Sequence, residues 1–282
     1  MEAAVRPAAV AGMFYPGTAP VLATAVHAYL SDAAGAARRA PKALIVPHAG
    51  YVYSGPVAAS AYRRLASVRA SIRRVVLLGP VHRVSIRGLA LPAAAAFATP
   101  LGRVAVDADA TAAALELPQV KVSEAAHALE HSLEVQIPFL QTVLEDFTIV
   151  PLAVGDAGAE EVAEAIELLW GGPETLVVVS SDLSHYLPYA TAQKIDRGTA
   201  GAILALTSAL DHGQACGATP INGFVLCARH HGLEAELLDL RNSGDTAGDK
   251  SRVVGYAAFA FTEREPGEVK SRTAAVPEPV DA

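Results

Sequence analysis

An apolar run that ends in Pro-His is the feature of this sequence that most constrains its fold. Residues 43–46 (Ala-Leu-Ile-Val) carry no polar side chain, which is typical of a strand buried on both faces of a sheet. Pro47 ends the strand because proline cannot donate to the sheet ladder, and Gly50 lets the backbone turn sharply behind His48. Open α/β sheets bind ligands at this edge, so we expect His48 to lie at a binding rim.

Two further stretches repeat this design. Residues 75–82 place His82 after an apolar run and a Gly-Pro break. Residues 176–186 place Asp182 and His185 in a polar turn after a third apolar run. Three strands that each deliver a histidine to the same rim predict one site.

Strands that alternate with helical patterns predict the fold class. We expect a single α/β domain over residues 1–262, with a central, mostly parallel or mixed sheet covered by helices on both sides. From Glu263 the composition changes to charged residues, proline and small residues. Such a segment buries too little apolar surface to order itself, so residues 263–282 are predicted to be a disordered tail.

The composition limits the classes of function. Of the 282 residues, 52% are hydrophobic, which allows a sizeable core, and the net charge of -7 argues against nucleic acid or an anionic membrane as the main partner. No apolar run approaches the roughly 20 residues that span a bilayer, and no signal peptide is apparent. Two cysteines do not make a disulfide framework. We therefore expect a cytoplasmic protein.

Imidazoles that face one point typically begin a transition-metal site. The residues leave the third ligand open among four candidates: Cys216, Asp182, Glu130 and Glu134. Cys216 lies in a glycine-flanked loop before a predicted helix, whose N-terminus would favour a thiolate, although an ordinary loop thiol explains it equally well. Four other histidines are interpreted as surface imidazoles, some of them near helix C-termini: His27, His212, His230 and His231.

Residues 130–134 (Glu-His-Ser-Leu-Glu) form another polar cluster, inside a stretch predicted to be helical over about 126–140. On a helix, Glu130 and Glu134 would share one face and could orient a metal-bound histidine through a hydrogen bond. A solvated helix start explains Glu134 equally well, but explains His131 poorly, because His131 begins a mostly apolar turn. The sequence lacks His-Glu-x-x-His, phosphate-loop, dinucleotide-binding and Gly-x-Ser-x-Gly motifs, which excludes those classes of site.

Five ordered motifs resemble those of one family. They are Pro-His-Ala-Gly-Tyr (47–51), Gly-Pro-x-His (79–82), Glu-His-Ser-Leu-Glu (130–134), Ser-Ser-Asp-x-Ser-His-Tyr (180–186) and Cys-Gly (216–217). In order and rough spacing the chain resembles the Memo family from residue 5 to about 262. Bacterial and archaeal members are called AmmeMemoRadiSam system protein B. The resemblance implies a fold similar to the catalytic subunit of class III extradiol dioxygenases, which are non-haem Fe(II) enzymes.

The resemblance also implies a mononuclear metal site held by His48, His82 and Cys216. His185 matches the histidine beside the metal, where the dioxygenases keep an acid–base residue, and Asp182 could orient His185 or bind substrate. Three more residues are expected to support the ligands or line the substrate pocket: Glu130, His131 and Tyr51. The expected cofactor is one transition-metal ion, Fe(II) in the first place, with Cu or Zn as alternatives because a thiolate suits Cu(I) and Zn.

Two hypotheses of function follow. In the first, the protein is a metal-dependent redox enzyme related to the non-haem iron dioxygenases, acting on a small-molecule or peptide ligand. In the second, the same fold handles metal or binds such a ligand without catalysis. Zinc-assisted hydrolysis is a third, weaker hypothesis. The resemblance further suggests a pathway shared with radical-SAM and AmmeCR-type proteins.

Overall fold

A central sheet between two layers of helices organises the chain in the computed structural model, which describes residues 4–33, 39–246 and 248–264. The strands are β1 (Val5–Arg6), β2 (Ala43–Val46), β3 (Arg74–Pro80), β4 (Leu89–Leu91), β5 (Ala96–Thr99), β6 (Gly102–Ala105), β7 (Val120–Val122), β8 (Thr148–Val154), β9 (Thr175–Ser180), β10 (His185–Leu187), β11 (Glu234–Asn242) and β12 (Val253–Thr262). The helices are α1 (Ala19–Asp32), α2 (Tyr51–Tyr62), α3 (Ala108–Ala114), α4 (Glu124–Ala128), α5 (Ile137–Val143), α6 (Ala159–Leu168), α7 (Tyr189–Leu204), α8 (Ala218–His230) and α9 (Ser243–Thr246).

The main sheet is mixed. Its strand order is β10-β12-β2-β9-β3-β8-β4-β7, and β11 pairs with β12. The four central strands, β2, β9, β3 and β8, are parallel to one another, whereas β12 and β4 run antiparallel to their central neighbours. A small separate sheet has the order β1-β5-β6. The predicted single α/β domain with a mixed sheet and flanking helices is confirmed.

Both faces of the central strands are buried. In β2, Ala43 and Ile45 belong to one apolar cluster, while Leu44 and Val46 belong to a second cluster on the other face. A strand that must satisfy two cores has no position for a polar side chain, which is why it appears in the sequence as an unbroken apolar run.

Helix α2 begins earlier than predicted. The sequence placed its start near Pro56, but the helix begins at Tyr51, directly after Gly50 in extended conformation at the N-cap. Pro56 therefore lies inside the helix, where its missing N–H leaves the carbonyl of Val52 without its usual helical donor. Val52 is exposed, so this carbonyl can face solvent.

The predicted helix over 126–140 is wrong. Helix α4 ends at Ala128 and α5 starts at Ile137, with a 3-10 turn over Glu134–Gln136 between them. Glu130 and Glu134 therefore do not line one helical face. The four short strands β1, β5, β7 and β10 were not predicted, and α7, which the sequence predicts from about Tyr189 to Leu210, ends at Leu204.

None of the helices within the described ranges is long and apolar enough to cross a bilayer. The predicted tail lies outside the described residues except for Glu263 and Arg264. Its disorder and the domain boundary at residue 262 therefore stay predictions.

Candidate metal centre at the strand ends

Three histidine rings meet at the carboxyl edge of the sheet. His48 lies two residues beyond β2 and His82 two residues beyond β3, and both strands are hydrogen-bonded to β9. The third ring belongs to His131, in the irregular segment between α4 and α5. Ligand nitrogens of His48, His82 and His131 all lie within 4.8 Å of one another. The structure therefore contains a group that could bind a metal ion at the predicted rim.

The protonation of His48 follows from its hydrogen bonds. Its Nδ1 lies 2.9 Å from the Ser180 hydroxyl. That hydroxyl donates its proton to the carbonyl of Ser132 at 2.6 Å and accepts an N–H from Gln136 at 2.8 Å. Because the hydroxyl has no second proton, His48 Nδ1 must be the donor, which leaves an unprotonated lone pair on Nε2.

Glu130 fixes His82 in the same way. Its Oε1 lies 2.9 Å from His82 Nδ1, and its Oε2 accepts the His82 amide at 2.5 Å. The amides of His131 and Ser132 also donate to Oε1. Burial alone would raise the pKa of Glu130, but the hydrogen bonds and charge of His82 and these amides lower the pKa to about 2. The ionised carboxylate can only accept, so His82 carries its proton on Nδ1 and presents Nε2.

The third imidazole has an unsatisfied atom. Among the described groups, none is hydrogen-bonded to His131 Nδ1, although this atom is buried. Burial lowers the pKa of His131 to about 4. Burial, followed by the neighbouring imidazoles of His131 and His82, also lowers the pKa of His48 well below its usual value. Neutral imidazole is the form that binds metal ions, so His131 and His48 are in the required state at neutral pH.

Cys216 lies next to His48 but outside the group of three rings. Its Sγ is 3.3 Å from His48 Nε2 and 3.6 Å from the carbonyl oxygen of Asp182. Burial and the nearby Asp182 carboxyl raise the pKa of the Cys216 thiol to about 12. The predicted loop position is observed, since Cys216 comes two residues before α8. The structure thus offers a thiol and a third imidazole beside His48.

Asp182 and His185 are positioned by hydrogen bonds to different backbone groups. Asp182 Oδ1 accepts the backbone amide of His48 at 2.7 Å and so fixes the turn after β2. Burial raises the pKa of Asp182 to about 7. His185 Nδ1 lies 2.8 Å from the carbonyl oxygen of Leu183, which can only accept, so His185 Nε2 carries the free lone pair. The group hydrogen-bonded to His185 Nδ1 is therefore the Leu183 carbonyl rather than Asp182, and the other expected role of Asp182, substrate binding, stays a prediction.

A cavity of about 650 Å³ opens beside the three rings. Besides the imidazoles, Asp182 and His185, its wall includes four aromatic side chains and one arginine, namely Phe14, Tyr53, Tyr186, Tyr256 and Arg252. A second cavity of about 450 Å³ is lined by His82 and Cys216. Two solvent-accessible spaces therefore border the candidate metal centre.

Sequence reasoning placed Tyr51 at the pocket and missed several residues that line it. Tyr51 is buried in the core, and its hydroxyl donates to the carbonyl of Val135 at 2.6 Å. Tyr186 lies within a quoted motif, and its backbone is left-handed with φ of 58°. Arg252 comes from a polar loop with no motif, so no sequence signal could have found it.

The residues present fit a transition-metal ion. Two histidines have their Nδ1 protons held by protein acceptors, which is the usual arrangement of metal-binding imidazoles. The buried Nδ1 of His131 accepts or donates no hydrogen bond among the described groups and has the Glu130 carboxylate 3.3 Å away, and a thiol lies 3.3 Å from His48 Nε2. Nitrogen and sulfur donors together suit iron, copper or zinc.

Comparison with known proteins places the chain among proteins of matching length. "MEMO1 family protein" sequences are 38% identical in Ignicoccus hospitalis, over 91% of this chain and 98% of that protein, and 34% identical in Nitrosopumilus maritimus, over 91% and 99%. One from Aquifex aeolicus is 36% identical, over 91% and 99%. Among solved structures, an uncharacterized protein from Escherichia coli K12 covers 77% of this chain and 98% of its own, with a TM-score of 0.49 and 15% identity.

The family resemblance expected from the five motifs is confirmed at the level of the whole domain. The model of a family described as Memo-like protein matches residues 6–260. This range includes all three histidines of the strand-end site and Cys216. The chain belongs to the Memo family.

Proposed function

We propose that this Memo-family protein binds one transition-metal ion at the strand ends and uses it in redox chemistry on a small substrate in the adjoining cavity. The observation that carries the proposal is the pair His48 and His82, each with its Nδ1 proton bonded to a protein group and Nε2 unprotonated. A relationship to class III extradiol dioxygenases, and the role of an AmmeMemoRadiSam system protein B, belong to this proposal.

The third ligand is the point at which resemblance and geometry differ. The family resemblance gives Cys216, whereas the ring nitrogens that converge with His48 and His82 include His131. We propose Cys216 as the ligand, with His131 as the alternative. The thiol is protonated without metal because its pKa is about 12, so binding would release a proton.

The protein groups around the cavity suit proton transfer from a hydroxylated substrate. When bound, an ion such as Fe(II) supplies Lewis acidity and a redox couple. His185 presents an unprotonated Nε2 to the cavity and burial lowers its pKa, so it can accept a proton from a substrate hydroxyl. Arg252, over the ring of Tyr186 at the cavity wall, can bind an anionic group of the substrate.

Metal analysis of anaerobically purified variants tests the ligand assignment. Asparagine keeps a donor at the position of Nδ1 and removes Nε2, so His48→Asn and His82→Asn should lose most of the bound iron while remaining folded. His27→Asn, in the exposed part of α1, is the matched control and should keep it. Stoichiometric iron with unchanged affinity in either site variant would contradict the proposal.

Thiol alkylation separates the two candidates for the third ligand. If Cys216 ligates, metal protects it from alkylation and Cys216→Ser weakens Cu(I) and Zn binding more than Fe(II) binding. Equal labelling with and without metal would instead assign the position to His131, and His131→Asn should then lose the ion. Cys227 is buried and serves as the internal control, unreactive in both states.

Oxygen uptake tests the redox chemistry. The Fe(II)-loaded protein is expected to consume O2 with some member of a panel of catechols and related chelating phenols. His185→Gln should keep the iron and lose the uptake, because the proton acceptor is gone. Uptake that persists at the wild-type rate in His185→Gln would contradict the role of His185.

The thiol of Cys216 favours a second candidate function, in which the protein handles metal ions without catalysis. A thiol beside an imidazole favours Cu(I) and Zn over Fe(II). A handling protein would transfer bound Cu(I) to a chelator or acceptor at a rate that depends on Cys216, and would show no oxygen uptake in the same panel.

A further inference from the structure

A second group of metal-ligating side chains lies where two helices end. Glu167 is in the last turn of α6, His230 is the last residue of α8, and His231 follows as its C-cap. Ligand atoms of these three side chains all lie within 4.8 Å of one another. His230 Nδ1 is 3.0 Å from Glu167 Oε1, and His231 Nε2 is 2.8 Å from Glu167 Oε2. One carboxylate thus holds two imidazoles together at the surface.

The packing of the two helices brings their C-terminal ends to one place. At Gly223 of α8 an added Cβ would lie 2.5 Å from Val162 of α6, so only glycine allows this approach. From that contact both helices run in the same direction to Glu167 and His230. The carbonyl groups at helix C-termini carry partial negative charge, and two such ends together favour a bound cation.

The ligand groups are held before any ion binds. The His231 ring stacks on Trp170, with centroids 4.0 Å apart and an interplanar angle of 7°. The thiol of Cys227 lies beside Glu167, and its pKa is raised by burial and then by that carboxylate. A stacked ring and a partly buried carboxylate lose little conformational freedom on binding a metal ion.

This group is separate from the strand-end centre. Lys42 directly precedes β2, and its Nζ lies 5.1 Å over the ring of Trp170. His48 follows the opposite end of the same strand. The two groups of histidines therefore lie at opposite edges of the sheet, and each can be altered without touching the other.

We propose that Glu167, His230 and His231 bind a divalent transition-metal ion through two imidazole nitrogens and a carboxylate oxygen. Two imidazoles and a carboxylate suit Zn(II) and Ni(II). In a tetrahedral zinc site such ligand atoms are roughly 3.4 Å apart, so the two nitrogen–oxygen separations of 3.0 and 2.8 Å need to widen by about half an ångström. The ion joins the ends of α6 and α8 and keeps a position open for water or an external ligand.

Trp170 provides the test, because it is the only tryptophan of the chain and touches a ligand ring. The substitutions His48→Asn and His82→Asn remove the strand-end centre from the full chain. The fluorescence of Trp170 in this variant is then titrated with Ni(II). We expect saturable quenching with one ion per chain, reversed by Zn(II). Glu167→Gln and His230→Asn, added singly, should raise the half-saturating Ni(II) concentration at least roughly tenfold, since even supporting groups of metal sites contribute that much.

The controls keep the result specific to this group. His27→Asn in the same background should leave the titration unchanged, and melting by circular dichroism checks that each variant is folded. Neither Glu167 nor His230 is the residue that stacks on Trp170, so these variants keep the reporter's contact. Quenching that does not saturate, or the same half-saturation in Glu167→Gln and His230→Asn as in their parent, would overturn the site. Because His48 and His82 are replaced throughout, the outcome is independent of the proposed function.

Discussion

Glu130 and Glu134 are four residues apart, equally buried, and surrounded by different partners. Glu134 Oε2 pairs with Arg6 at 2.5 Å, and the carboxylate also accepts the Tyr15 hydroxyl at 2.5 Å and the amides of Ala9 and Val10. These partners all lie in residues 6–15, here called the N-terminal arm. Glu130 instead holds the ring and amide of His82 and the amides that follow it in the chain.

The two glutamates have different roles: Glu134 stabilises the fold, whereas Glu130 orients a histidine of the candidate metal centre. A buried carboxylate matched by a permanent cation, as in the Glu134–Arg6 pair, is part of a structural ion pair and stabilises the attachment of the arm. A carboxylate matched by an imidazole, as at Glu130, fixes which nitrogen carries the proton and so prepares the other nitrogen for a ligand. The charge type of the partner, rather than burial, decides the role.

The largest effect is expected at Glu134. Glu134→Gln keeps the shape but leaves the Arg6 guanidinium buried without its counter-charge, which should lower the free energy of unfolding by about 3–5 kcal/mol. Urea denaturation measures the change. Glu145→Gln is the matched control, because the Glu145–Arg69 pair is about half exposed and should contribute under about 1 kcal/mol. A loss at Glu134 as small as at Glu145 would show that Arg6 needs no charge partner.

His127 adds a pH dependence beside the same arginine, which donates to its carbonyl at 2.7 Å. Burial lowers the pKa of His127 from 6.5 to about 4. Between these pH values His127 binds a proton in the unfolded chain but not in the folded chain. The contribution of neutral His127 to the free energy of unfolding is therefore complete above about pH 6.5 and is lost as the pH falls towards 4. Over this range the free energy of unfolding should fall by about 3 kcal/mol in total because of His127. Denaturation of His127→Gln between pH 7 and 4 should show a correspondingly shallower decline than the wild type, and parallel curves would contradict the assignment.

Glu130→Gln should act on metal affinity rather than mainly on stability. An amide does not fix the His82 proton on Nδ1 as a carboxylate does, so affinity should fall roughly 10–100-fold. Competition with a chromogenic chelator measures the affinity. Glu134→Gln, assayed at a temperature where it is folded, should keep the wild-type value. Equal losses in the two variants would remove the distinction between the two glutamates.

The smallest effect is expected at Tyr15. Tyr15→Phe removes one hydrogen bond to a carboxylate that keeps Arg6 and two amides as donors, so the free energy of unfolding should fall by about 1.5 kcal/mol. The ring and its contact with Tyr51 remain. A loss as large as that of Glu134→Gln would show that the hydroxyl, rather than the ion pair, attaches the arm.

The sequence predicted the parts of the fold in which one physical requirement dominates. Strand β2 was predicted at its observed bounds because both faces must be apolar. The structure of segment 129–136 was not predicted. Glu130 accepts hydrogen bonds from the amides of His131 and Ser132, and these bonds compete with helical hydrogen bonds. No periodicity reveals that competition, which depends on a histidine some fifty residues away.

The same reason limits what could be predicted of the candidate site. His48 and His82 follow buried strands, so their place at the rim could be inferred from local sequence. His131 reaches the two rings only because the chain leaves the helical path, and Arg252 reaches the cavity from a distant loop. Positions set by long-range packing leave no local pattern.

The place of β2 in the sheet has a consequence for synthesis. Its two neighbours come from much later in the chain, since Ala43 lies opposite Val177 of β9 and opposite Phe261 of β12. At about 5–20 residues per second, a ribosome needs on the order of 10–40 s to proceed from residue 43 to residue 261. During that interval the edge of β2 that faces β12 has no partner, so we expect the apolar strand leading to His48 to be a chaperone-binding segment of the nascent chain.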